Sequence, residues 1–322
     1  MRKNRRRRTS VSVYSPEIDL LDDDFYDCLH AFLRHQKDNE RSAYTIEYYR
    51  RALTNFANIL EKRRFKTDLR AITGDSIEHG YVRYAYDELG LKHASVASTL
   101  RAVRAFMNWA KGKYIEESPM DNIVIGTPKP PKIETFSREQ LKAIMSQPDP
   151  QLFVGLRDLT IMTVLLETGV RVRELCDITV DDVRFEDNQI LIRGKNGEDR
   201  LVPIQSQTRR MLKRYLQARG DSFVDWLFIS VDDEKMNRDS VRLRINKYGR
   251  QANIENVRCS PHTFRHTFAK MSVQNGADLF TLQAILGHKT VDMVRRYVNM
   301  YGSDIQDAHG RFSPVENLRI KL

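Results

Sequence analysis

The chain has 322 residues, 41% of them hydrophobic, and 53 Lys and Arg against 43 Asp and Glu, for a formal net charge of +10. This length can bury a substantial core and fits about two domains, while the charge favours a polyanion, either nucleic acid or an acidic membrane surface. No apolar run approaches the roughly 20 residues that span a bilayer, and Met1 to Ser10 lacks the apolar segment of a secretory signal, so the sequence points to a cytoplasmic protein without membrane partners. Cys28, Cys176 and Cys259 are too far apart for a paired zinc or disulfide framework and read as buried small apolar residues.

Residues 1–14 open with Arg2, Lys3 and the run Arg5 to Arg8. Nothing there packs, so a disordered basic arm is expected, serving either to neutralise phosphates or simply as a solvated tail. Over residues 15–117 the apolar spacing predicts four helices, at 19–37, 45–64, 74–89 and 94–111, forming a small bundle. In the fourth, Val96, Leu100, Val103, Phe106, Met107 and Ala110 make a core face, and Arg101, Arg104, Lys111 and Lys113 lie on or beside a face able to grip DNA. Residues 118–136 contain Pro119, Pro128, Pro130 and Pro131. Proline blocks helix and favours extended backbone, so this segment is expected to link the bundle to a second domain and to let both reach around a duplex.

The second domain, 137–310, is expected to be α+β. Ser137 with Gln140 suggests a capping box. A buried helix over 152–167 ends at Gly169, and another begins at Val172, which puts Arg171 at a helix-to-helix corner. Segments 183–185, 190–193 and 201–204 alternate like antiparallel strands, with Lys195 at the tip of the second turn. Ser260 and Pro261 mark a helix start that places His262 and Arg265 on one face. Further helical patterns cover 278–286 and 291–301, with His288 between them and Tyr297 in the last. The tail, 311–322, carries Val315, Leu318, Ile320 and Leu322 and cannot bury itself. The predicted class is therefore mainly α with a small antiparallel sheet, in two domains.

The ordered series Arg171, Lys195, His262, Arg265, His288, Tyr297 is the informative feature. Attack on a phosphodiester builds negative charge on the non-bridging oxygens, and arginine meets it because its planar fork binds phosphate bidentately and stays charged. Two arginines then stand where many nucleases hold metals. His262 and His266 have i,i+4 spacing, but residue 263 is Thr and no third ligand is indicated, so no metal is expected. A phenol titrates near 10, so a tyrosine nucleophile needs a base or strong cations. His262 and His288 are candidates to take its proton or orient the phosphate, and Lys195 to protonate the departing 5′ oxygen. A phosphotyrosyl bond conserves the energy of the phosphodiester, and no nucleotide-binding glycine loop is present, so neither ATP nor a cofactor is expected. Glu174, three residues after Arg171, is expected to support that arginine. His266 and Phe264 read as packing residues.

These motifs resemble the tyrosine recombinases, or phage integrase family. Thr168-Gly169-Val170-Arg171 through Glu174-Leu175 is similar to their corner motif, Lys195 to their hairpin lysine, His262 and Arg265 to their His-x-x-Arg, Leu286-Gly287-His288 to their Leu-Gly-His, and Tyr297 to their nucleophile. Lys195 follows Arg171 by 24 residues, His288 follows Arg265 by 23 and Tyr297 follows His288 by 9. In the hairpin Gly194 to Arg200 the glycine and the second basic residue, Arg200, are shifted from the usual arrangement, and Tyr301, one turn beyond Tyr297, is the rival nucleophile. The resemblance implies a core-binding domain followed by a catalytic domain, and a site-specific recombinase acting through a covalent 3′-phosphotyrosyl intermediate on double-stranded DNA with inverted-repeat half-sites. It also implies a tetramer on two sites, in which the 311–322 tail docks on a neighbouring subunit, and accessory DNA-bending or directionality proteins. Integration or excision of a mobile element is the expected task. Resolution of dimers or cointegrates, a type IB topoisomerase and a non-catalytic DNA-binding relative are the alternatives.

Overall fold

The computed structural model describes residues 24–127, 133–194 and 197–301, the side chains of 298–301 excepted. The basic arm, Lys195 and the 311–322 tail lie outside the described residues. The chain divides into two compact units, Met1–Pro131 and Lys132–Leu322.

In the first unit, α1 (Phe25–Asp38), α2 (Ala43–Lys62) and α4 (His93–Ala110) start at Asp24, Ser42 and Lys92. Asp24 and Ser42 each accept a backbone N–H from the first turn, relieving donors that have no partner within the helix. The third predicted helix is a π-helical segment, Ser76–Val82, running into the short α3 (Arg83–Asp87). Phe25, Phe32, Phe56, Phe106 and Tyr81 fill the centre, each essentially inaccessible to solvent. Met120 and Ile123 join this core, so residues 118–127, expected in the linker, pack on the first unit.

The cationic face of α4 is largely engaged within the chain. Arg104 donates to the carbonyls of Met120 and Ile123, Lys111 pairs with Asp121 at 2.9 Å, and the Lys113 ammonium lies 5.1 Å from the Trp109 ring centroid. Arg101 is exposed on the helix surface.

The second unit opens with α5 (Arg138–Met145), whose Ser137 and Gln140 form the expected capping box. Its central helix, α6 (Phe153–Thr168), is buried on most sides, with Leu156, Ile161, Met162, Val164 and Leu165 in the core. α6 packs against α8 (Ser206–Arg219) and α10 (Pro261–Gln274). Short α7 (Val172–Cys176) leads into a three-stranded antiparallel sheet, β1 (Val183–Arg184), β2 (Gln189–Ile192) and β3 (Arg200–Pro203), in that order. Ile190 lies opposite Val183 and Val202, so the period-two alternation puts all three into the core. α9 (Arg238–Gln251), α11 (Leu279–Leu286) and α12 (Val291–Tyr301) complete the unit. No described helix is long and apolar enough to cross a membrane.

The three cysteines are buried and free, and burial raises the Cys176 thiol to about 12.

Candidate active site

Two glycines shape the site. Gly169, after α6, has φ +60, and Gly287, after α11, has φ +61, the left-handed conformation that L side chains rarely adopt. Space is also short: a Cβ on residue 169 would stand 2.3 Å from the Phe268 ring, and one on residue 287 would stand 2.9 Å from the Arg200 guanidinium. The carbonyls at both helix ends thus face the site, where a cation is favoured by the negative end of each helix.

Arg265 takes two of those carbonyls. Its Nη1 donates to Gly169 O at 2.5 Å and its Nη2 to Leu286 O at 2.9 Å, and the residue is 5% exposed. Burial, then the Arg171 charge, lowers its pKa to about 10, which leaves it cationic at neutral pH. Arg171, at the start of α7, donates to Gly287 O at 3.2 Å and to Glu174 Oε1 at 2.8 Å. Glu174 also accepts the Arg171 backbone N–H at 2.9 Å and Arg200 Nη2 at 2.8 Å. Burial pulls the Glu174 pKa upward, but the bonds from Arg200 and Arg171 outweigh it and the carboxyl is held below its usual range. Arg200 is fixed further by Ile285 O, 2.8 Å from its Nε. Two guanidinium groups, Arg171 and Arg200, therefore share one carboxylate with Arg265 close by, leaving an excess of positive charge.

His288 joins this cluster. Arg265 Nη2 lies 2.7 Å from His288 Nε2. Since arginine only donates, Nε2 is the acceptor, the ring is neutral and its proton is on Nδ1. That Nδ1 is buried and has no hydrogen-bond partner among the described residues. Burial, followed by Arg265, Arg171 and Arg200, lowers the His288 pKa to about 4. His262, in the first turn of α10, is exposed on its outer side, and the protein crowding its ring, then Arg265, Arg258 and Arg171, lowers its pKa.

Tyr297 lies on α12, 4% exposed, in a cluster with Ala269, Val273, Leu282, Leu286 and Val294. Its hydroxyl is 2.7 Å from His266 Nδ1 on α10, and it stands close enough to Arg265 for its ionised form to favour that group's charge.

The structure thus brings Arg171, Glu174, Arg265, His288, His262 and Tyr297 to one end of the second unit. Lys195 lies outside the described residues. Two residues that the sequence undervalued belong here: Arg200, which read only as a displaced basic residue of the hairpin, and His266, which is more than a packing residue. Phe264 is core, edge-on to Phe136. Among the described residues no group of three or more His, Cys, Asp or Glu side chains is placed to hold a metal ion.

A mainly helical two-unit chain with a cationic cluster beside a buried tyrosine defines the class. Residues 134–303 match the model of the phage integrase family, and residues 29–113 that of the phage integrase N-terminal SAM-like domain. The tyrosine recombinase XerD of Pseudomonas aeruginosa is 33% identical over 84% of this chain and 91% of its own length. XerC of Pelobacter propionicus is 27% identical over 89% and 95%. Among solved structures, XerH bound to palindromic difH superposes with TM-score 0.69 at 19% identity, covering 88% of this chain and 87% of that one. The Tn1549 transposon integrase with transposon right-end DNA gives 0.70 at 18%, covering 92% and 100%. The chain belongs to the phage integrase family and is a site-specific tyrosine recombinase.

Proposed function

We propose that the protein cuts and rejoins double-stranded DNA through a 3′-phosphotyrosyl bond at Tyr297, without metal or ATP. The observation that carries this reading is the excess of positive charge at Arg171, Arg200 and Arg265 beside a buried His288 Nδ1–H that no described residue accepts. A bound phosphate satisfies that donor and the charge together. Arg171 and Arg265 hold the non-bridging oxygens and His288 donates from Nδ1. The Tyr297 oxygen then bonds to phosphorus as the bond to the 5′ oxygen breaks. The phenolic proton goes to a ring nitrogen of His262, and Lys195 supplies a proton to the 5′ oxygen. Glu174 keeps Arg171 in place. Rejoining reverses the steps on another 5′ end.

The partner in this reading is a duplex with inverted-repeat half-sites, in keeping with the palindromic substrate of XerH and the core-site-bound dimer of lambda integrase. Two such sites are joined in a tetramer, helped by accessory DNA-bending or directionality proteins, to integrate or excise a mobile element. The test uses a nicked, end-labelled duplex recovered by binding selection from a random pool. A protein–DNA adduct with a free 5′ hydroxyl is expected in EDTA. Cleavage that leaves no adduct, or that depends on added Mg²⁺, contradicts the proposal.

A further inference from the structure

We propose that His266 is a positioning residue for the nucleophile: its Nδ1 accepts the hydrogen bond of the Tyr297 hydroxyl and fixes where that oxygen stands when it meets the phosphate. The proposal rests on the reading of Tyr297 as the nucleophile. The contact is 2.7 Å long and joins residues 31 apart in sequence. The two rings lie 5.8 Å apart at 45°, so the bond is made at the edge of the imidazole and not across its face. Ala269 and Val273 on α10 pack with Tyr297 in one cluster, which restrains the phenol ring and leaves the hydroxyl as the group still to be placed.

Helix α10 makes this placement consequential. Arg265 and His266 are consecutive, so about 100° separates them around the helix. Arg265 reaches the carbonyls of Gly169 and Leu286, while His266 reaches α12. One rigid helix therefore sets both the cation that holds the phosphate and the acceptor that holds the attacking oxygen. Errors of about 1 Å in such an arrangement cost on the order of 100-fold in rate. Burial, then His262, Arg265 and Arg296, lowers the His266 pKa to about 4, which keeps the ring neutral at neutral pH, and the tautomer protonated on Nε2 leaves Nδ1 to accept. Its part is to hold the hydroxyl in place, the proton passing to His262 as the bond to phosphorus forms.

The test compares wild type, His266→Leu, His266→Asn and Tyr297→Phe as full chains on the selected nicked duplex. Adduct formation is measured in single turnover at saturating protein, and duplex affinity separately. Leucine removes the acceptor, and asparagine returns an oxygen near the position of Nδ1. The expected result is a loss of about 10-fold or more for His266→Leu at unchanged affinity, with most of the rate recovered in His266→Asn. The 19F resonance of 3-fluorotyrosine at position 297 should move in His266→Leu and return toward the wild-type value in His266→Asn. If the leucine variant fails to fold, His266→Gln, whose amide sits one methylene further out, takes its place and should cleave more slowly than His266→Asn. Equal or faster cleavage without the acceptor, or no recovery in folded His266→Asn, overturns the proposal. Adduct retained in Tyr297→Phe instead overturns the nucleophile reading on which it rests.

Discussion

Replacing Arg265 by lysine keeps the charge and removes the fork. In the structure that fork meets Gly169 O, Leu286 O and His288 Nε2 at 2.5, 2.9 and 2.7 Å, in a residue only 5% exposed. A single ammonium on a shorter, flexible stem cannot reach all three acceptors, so at least one helix-end carbonyl and the histidine lose their donor. Each buried polar group left unpaired costs about 1–3 kcal/mol, which gives a destabilisation of about 2–6 kcal/mol for the second unit. Catalysis should fall further, because loss of one fixed donor to a developing oxyanion costs about 100- to 1,000-fold. Urea unfolding of the DNA-free protein measures the first effect and single-turnover adduct formation the second. A lysine variant as stable as wild type and cleaving within about threefold of it would refute the idea that bidentate geometry, and not charge alone, is required.

Gly287→Ala should cost about 1–2 kcal/mol for the left-handed backbone and also displace Arg200, whose guanidinium would be 2.9 Å from the new Cβ; urea unfolding and adduct yield should fall together. Stability should also fall with acid. His288 and His266, ordinarily near 6.5, are lowered to about 4 in the fold, so below 6.5 the unfolded chain gains protons that the folded chain does not, and stability is lost progressively from pH 6.5 to about 4. His288 alone contributes about 3 kcal/mol to that loss, and a His288→Gln variant unfolded by urea across this range should show a shallower slope. Glu174, held below its usual 4.5, adds its loss only at lower pH. Deleting residues 311–322 should spare binding to one half-site in gel-shift assays and abolish recombination between two sites; undiminished recombination would contradict the proposed docking of the tail on a neighbour.

What the sequence revealed depended on how locally each feature was encoded. Ser260 and Pro261 announce α10 because capping and the fixed proline φ act within one turn, and Gly169 and Gly287 announce helix ends for the same reason. The strand pairing followed from alternation at Ile190, Ile192 and Val202. Helices α8 and α9 escaped the reading because their buried stripes are narrow, Thr208, Leu212 and Tyr215 in one and Val241, Ile245 and Tyr248 in the other, within otherwise strongly basic segments. The π-helical turn at 76–82 has no local signature. The grouping of Arg171, Arg265, His288 and Tyr297 was legible from motif order. Arg200 and His266 were not, because their importance lies in long-range contacts, to Glu174 and Ile285 for one and to Tyr297 for the other. The cationic face of α4 carries contacts that no helical periodicity shows: Arg104 and Lys111 bind the chain segment that follows them.

In the proposed reaction the Tyr297 oxygen becomes joined to DNA. The most direct measurement incubates wild type, Tyr297→Phe and Tyr301→Phe with the nicked, labelled duplex in EDTA, followed by denaturing electrophoresis and peptide mapping of the adduct. Wild type and Tyr301→Phe should each give an adduct mapping to Tyr297, and Tyr297→Phe none. An adduct that persists in Tyr297→Phe, or that maps to another tyrosine, would contradict that reaction.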